Sequence, residues 1–310
     1  MNKIVFLILA SASILNAEKY AHRRDGCPTD IAPCSCINSV LECSKIFEPY
    51  LLENVFEKSV GYSYNEVHLK YSVLQYLPSE VFKQVPVRNL YLKNVTLIAM
   101  FDAPVSTMDS LDKIHIEDSI ITRQEWDLLA PMKQLRLLTI YSSKIPRLEE
   151  DFGENMPSSL EQITFYGTET KTLKEGVFRG LSSLNKIAID AAYLTELKRT
   201  YFPVPFNVKV LYFNDNKLTF IPDDLFTQMP YLQTVGLRQN QLITIPAAAF
   251  EGRASRITYV VLEENPLLCD CQLSWLIKDK PKVLSGTCAM PTKLQGQALK
   301  DLTLQDLGCL

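Results

Sequence analysis

Between residues 64 and 267 the chain repeats itself about every 24 residues, and this period limits what it can fold into. The clearest unit is residues 232–242, LQTVGLRQNQL, with apolar residues at positions one, four, six and eleven and Asn240 at nine. Counterparts begin at Tyr64, Val87, Leu111, Leu135, Leu160, Leu184, Val208 and Ile257. With the unit at Leu232, the steps are 23, 24, 24, 25, 24, 24, 24 and 25 residues, so nine units keep one register. An apolar residue returns at position fourteen in Leu77, Leu148, Leu173, Leu197, Ile221 and Ile245. Phenylalanine stands at nineteen in five units: Phe82, Phe178, Phe202, Phe226 and Phe250.

The pattern dictates local structure. Positions three to seven read as a short strand with four and six inward and three, five and seven outward, because strand side chains alternate. One coil cannot bury its own apolar side, so the units must stack, and each open end of the stack needs a cover. The shared phenylalanine position makes a buried aromatic spine. At position nine Asn216, Asn240 and Asn265 carry a side chain that can satisfy backbone groups at the strand end. Ser72, Ser119, Ser143 and Thr168 offer a hydroxyl for part of that work, whereas Val95 and Ala192 offer nothing polar. The amino-terminal units are thus the less regular ones.

Residues 1–17 read as a signal peptide: Lys3, an apolar run over residues 4–15, then small Ala17. No later stretch is long and apolar enough to span a bilayer, and no apolar tail follows Cys309 to signal a lipid anchor. In an exported chain eight cysteines are expected to pair. They form two groups, Cys27, Cys34, Cys36 and Cys43, then Cys269, Cys271, Cys288 and Cys309. Pairing within each group leaves nine of the roughly 105 possible connectivities.

The repeat L-x-x-L-x-L-x-x-N-x-L, with CDCQLSWL after its last copy and CPTDIAPCSCINSVLEC before its first, resembles the extracellular leucine-rich repeat proteins. The resemblance implies an α/β horseshoe solenoid with a parallel sheet on its concave face, an irregular or 3-10 convex side and disulfide caps at both ends. It implies an N-terminal cap at 18–63, nine repeats at 64–267 and a C-terminal cap at 268–310. It implies the pairs Cys27–Cys36, Cys34–Cys43, Cys269–Cys288 and Cys271–Cys309, with Trp275 as an apolar lid. Asp270, between two of these cysteines, reads as a solvent-facing spacer. The gap between Cys27 and Cys34 and the DIAPCSC wording are similar to a narrower set of arthropod secreted members. That set includes a non-catalytic subunit of a secreted complex.

No chemistry competes with this reading. The chain lacks a G-x-S-x-G elbow, a Gly-rich phosphate loop and an H-E-x-x-H helix, so no catalytic residue, cofactor or metal ligand is assigned. A C-x-C pair is tight for zinc and is not the C-x-x-C of redox sites. A net charge of −3 without basic runs gives no nucleic-acid surface. Function is then sought on the outward strand positions. His68, Tyr91, His115 and Tyr212 occupy position five, and Tyr141 and Tyr166 position seven. The two histidines, separated by one strand, read as an exposed pair about 10 Å apart, too far to share a metal ion. Tyrosine suits recognition surfaces because it offers apolar area and a hydroxyl at low entropy cost. Tyr91, His115, Tyr141, Tyr166 and Tyr212 are therefore expected to meet a protein partner. The N-glycosylation sequon Asn94-Val95-Thr96 would place a sugar on the rim of that face and shade part of it. The expected function is non-enzymatic protein binding outside the cell, as an accessory subunit. The alternatives are innate-immune recognition of microbial surfaces and a matrix or adhesion role.

Overall fold

The computed structural model of the protein describes residues 26–105, 110–250 and 254–309, and the leader expected at 1–17 lies outside them. The strands begin with β1 (Ser35–Ile37), β2 (Val40–Ser44), β3 (Tyr64–Val73), β4 (Val87–Leu97) and β5 (Lys113–Glu117). Next come β6 (Ile120–Ile121), β7 (Leu137–Tyr141), β8 (Arg147–Leu148), β9 (Gln162–Tyr166), β10 (Thr172–Leu173) and β11 (Lys186–Asp190). The last four are β12 (Val210–Tyr212), β13 (Thr234–Gly236), β14 (Tyr259–Val261) and β15 (Val283–Ser285). Each repeat gives one strand to a single parallel sheet, in the order β3, β4, β5, β7, β9, β11, β12, β13, β14. Register follows the period at position three. Glu66 lies opposite Asn89, Asn89 opposite Lys113, Lys113 opposite Leu137, and so on to Thr234 opposite Tyr259. The chain is thus a leucine-rich repeat solenoid.

The sheet extends past the nine repeat strands because both caps join it. Val40 of β2 lies opposite Glu66, with β1 folded antiparallel on β2, and Val283 of β15 lies opposite Tyr259. Disulfides Cys27–Cys36 and Cys34–Cys43 hold the first cap, and Cys269–Cys288 and Cys271–Cys309 the second. Asp270 is not a free spacer. Its carboxylate accepts the Gln272 N–H at 2.9 Å and so caps the 3-10 turn Cys271–Leu273.

Burial follows the alternation. The eighteen side chains at positions four and six, from Val67 and Leu69 to Val260 and Leu262, are at most 3% exposed. Each such aliphatic contributes roughly 1.5–3 kcal/mol by leaving water. On the far side of the core the aromatic spine runs through Phe178–Phe202 (5.6 Å between ring centroids), Phe226–Phe250 (4.9 Å) and Phe250–Trp275 (4.7 Å). Repeats without phenylalanine at nineteen supply a ring from another position. Phe101 packs on Phe82, Trp126 on Phe152, and Phe152 on Phe178. Helix α1 (Pro49–Lys58) of the first cap adds Phe56, 5.2 Å from Phe82. In the fourth repeat Gly153 holds position nineteen because a Cβ there would sit 2.5 Å from the Val177 carbonyl oxygen, and Phe152 fills the space instead.

Position nine binds coil to coil. Asn240 Oδ1 accepts the Leu218 N–H at 3.0 Å, and its amide donates to the carbonyls of Phe213, Leu237 and Arg238. Asn265 makes the same set one coil on, and Asn216, one coil back, accepts the Leu194 N–H and donates to the carbonyls of Ile189 and Asn214. The serines work at shorter reach: Ser119 Oγ accepts the Val95 N–H at 3.0 Å and donates to Glu117 O at 2.8 Å. Thr168 instead donates to the Thr170 hydroxyl, which donates to Ile145 O. Just before this position every repeat turns a corner in left-handed backbone. Tyr71, Asn94, Asp118, Ser142, Gly167, Ala191, Asp215, Gln239 and Glu264 have φ between 47° and 65°. Only some of these are residues that favour that conformation.

Candidate binding face

The outward positions of β3, β4, β5, β7 and β9 assemble one continuous row of rings. His68 stacks on Tyr91 at 4.5 Å, Tyr91 meets His115 at 5.5 Å, His115 meets Tyr141 at 5.5 Å, and Tyr141 meets Tyr166 at 5.7 Å. The row changes column midway. It runs along position five as far as His115 and then along position seven, where Thr139 and Thr164 at position five are too small to carry it. Ring pairs of this kind contribute about 0.5–1.5 kcal/mol each beyond burial. Only His68 and Tyr91 lie nearly parallel; the other pairs are tilted by 37–46°, and Tyr166 at the end of the row is 47% exposed.

The histidines are less exposed than their outward positions imply. Their side chains are only 20% and 19% exposed, since Tyr91 stands between them. Burial, and then the Lys113 ammonium, hold His115 below the ordinary imidazole range. His68 Nε2 lies 2.7 Å from Glu66 Oε2. Charged neighbours frame the row: Lys113 Nζ sits 4.9 Å over the Tyr91 ring, and Lys93 donates to Glu117 at 2.8 Å. That hydrogen bond lowers the Glu117 pKa.

Four of the five residues assigned to the face from sequence come together here: Tyr91, His115, Tyr141 and Tyr166. Tyr212 stands apart, two coils on, with the Lys186 Nζ 6.0 Å from its ring. It leans over Gly236, where a Cβ would come within 2.4 Å of Tyr212 Cδ1. Sequence reasoning passed over Lys113 and Glu66, although both sit at position three beside position-five rings. Between the row and Tyr212 lies Asp190, partly buried. Burial pushes its carboxyl up to about 6, against the Asn214 N–H that Oδ1 accepts at 2.7 Å. Among the described residues no group of three or more His, Cys, Asp and Glu is placed to hold a metal ion. No described helix is long and apolar enough to cross a membrane.

Residues 206–267 match the family described as Leucine rich repeat, and residues 287–310 the Leucine rich repeat C-terminal domain. The chain is 23% identical to the Oplophorus-luciferin 2-monooxygenase non-catalytic subunit of Oplophorus gracilirostris, across 96% of this chain and 92% of that protein. It is 30% identical over 128 residues to trophoblast glycoprotein of Mus musculus, a match spanning 30% of this chain and 29% of that protein. A match of 39% identity over 88 residues to human chondroadherin-like protein spans 27% of this chain and 11% of that protein. Among solved structures, a chain from an octameric complex of Latrophilin 3, Unc5D and FLRT2 (LRR) superposes with a TM-score of 0.64. At 19% identity, covering 92% of this chain and all of that one, the likeness is one of fold.

Proposed function

We propose that this chain, an extracellular leucine-rich repeat protein closed by disulfides near both ends, is a secreted, non-catalytic subunit that grips a protein partner with the amino-terminal half of its concave sheet. The ring row from His68 to Tyr166 carries the reading. It presents tyrosine rings with their hydroxyls beside flanking lysines and glutamates, the mixture with which protein surfaces are met. The end-to-end similarity to a subunit that is itself non-catalytic supports the accessory role over a stand-alone one. The test is purification of the native protein under mild conditions, followed by size-exclusion chromatography. The reading expects a second polypeptide in stoichiometric amount. A chain that elutes alone from its native source, and instead binds bacterial wall material, favours the microbial-recognition alternative.

A further inference from the structure

A stripe of exposed apolar side chains runs along the flank where the first coils leave the sheet. Phe47, Tyr71, Val73, Ile98 and Ile120 are each between 45% and 61% exposed. Phe47, Val73 and Ile98 line an open groove of about 500 Å³, together with Pro49 and Thr122. Exposed patches of this kind are normally covered in the working molecule. The sequon lies in the middle of this one. Thr96 lines the groove and is paired in register between Val73 on one side and Ile120 on the other. Asn94 itself is exposed, two residues before Thr96. Its left-handed conformation, with φ at 53°, interrupts the strand alternation, so that Lys93 and Asn94 both reach solvent while Val95 is 1% exposed. Asn94 thus stands at the exposed corner of the strand, next to the groove that Thr96 lines, whereas the ring row follows positions five and seven.

We propose that Asn94 carries an N-linked glycan and that this glycan lies along the flank groove, covering Phe47, Val73, Ile98 and Ile120, rather than over the sheet. Pyranose rings suit the place: their C–H faces pack on apolar side chains while their hydroxyls stay in water. The occupant is encoded by the chain itself, in the acceptor Asn94-Val95-Thr96. The binding face is left open, which removes the conflict between a sugar on this sequon and a partner on the rings. The inference rests on the extracellular reading above, since the sugar is added only during export.

The test uses the full chain with its own leader in a eukaryotic secretory host. The secreted protein is expected to lose mass on enzymatic glycan release, and Asn94→Gln to lose the same increment. Release under native conditions should raise the fluorescence of an apolar dye severalfold. The rise should disappear in a Val73→Thr, Ile98→Ser variant. A chain exported without sugar at Asn94, or a dye signal unmoved by release, overturns this inference and leaves the ring face untouched. A chain retained inside the cell overturns both.

Discussion

Asn240 shows how much one side chain does in this fold. It satisfies one N–H and three carbonyls from two coils, and all but the bond to the Arg238 carbonyl are buried. Asn240→Ala leaves those groups without partners, at about 1–3 kcal/mol for each that water cannot reach. We predict a loss of about 2–4 kcal/mol in stability by denaturant titration, with secondary structure kept at low denaturant. Asp190 makes the opposite prediction. Its folded pKa, near 6, lies above the unfolded value of 3.8, so the folded chain binds more protons between those values. Stability from this group therefore falls as pH rises through that window, and at pH 7 the buried charge is a cost. Asp190→Asn, which still accepts the Asn214 N–H, is expected to stabilise by about 1–2 kcal/mol at pH 7 and by almost nothing at pH 4. Thermal melts at the two pH values check this. His115 works the other way: its depressed pKa makes acidification below the ordinary 6.5 destabilising, so Asp190 is best read from the variant rather than from the whole-protein profile.

At the scale of elements, the strands were legible and their decoration only in part. Positions four and six are apolar in all nine units, which made the repeat strands legible from residue spacing even where Leu137, Ala188, Val210 and Val261 break the alternation with polar neighbours. The ring row was harder to see because it shifts from position five to seven at Tyr141, a step that depends on the neighbouring Thr139 being small. The position-eight corners were not legible, since Tyr71, Ala191, Gln239 and Glu264 do not advertise left-handed backbone; the stack imposes it. The spine was half visible: Phe101, Trp126 and Phe152 stand off position nineteen and join it only through the bends of their own loops. Arg199 was not visible at all. It is 8% exposed, and its guanidinium donates to the carbonyls of Thr227, Phe202 and Pro203, pinning the loop between the sixth and seventh coils. Burial lowers its pKa, against the opposing pull of the Asp224 carboxylate. Arg199→Met keeps the apolar stem but strands the three carbonyls. Faster hydrogen exchange confined to residues 199–229 is expected, with a stability loss of about 2–4 kcal/mol. Lysine, which lacks the planar fork, should rescue it only partly.

The whole molecule is a stack whose ends decide its integrity. The first cap lays β2 on the sheet and Phe56 on the spine, and the second lays β15 on the sheet and Trp275 on Phe250. Trp275 also donates its indole N–H to Ile245 O at 3.0 Å. Each cap thus continues both layers of the core before closing them, which is why the cysteines mark boundaries and not chemistry. With the ends closed, the proposal puts recognition on the exposed side of the sheet, and its central claim is that the ring row supplies it. Its most direct test is a titration of the co-purifying partner against the double variant Tyr141→Ala, Tyr166→Ala, beside Tyr231→Ala, an exposed tyrosine away from the row. If these rings anchor the partner, the double variant should be secreted normally and bind about 30-fold or more weaker, the effect of losing about 2 kcal/mol. Tyr231→Ala should bind within about threefold of the parent chain. Equal affinity for the double variant and the parent would contradict the assignment of the binding face to this row.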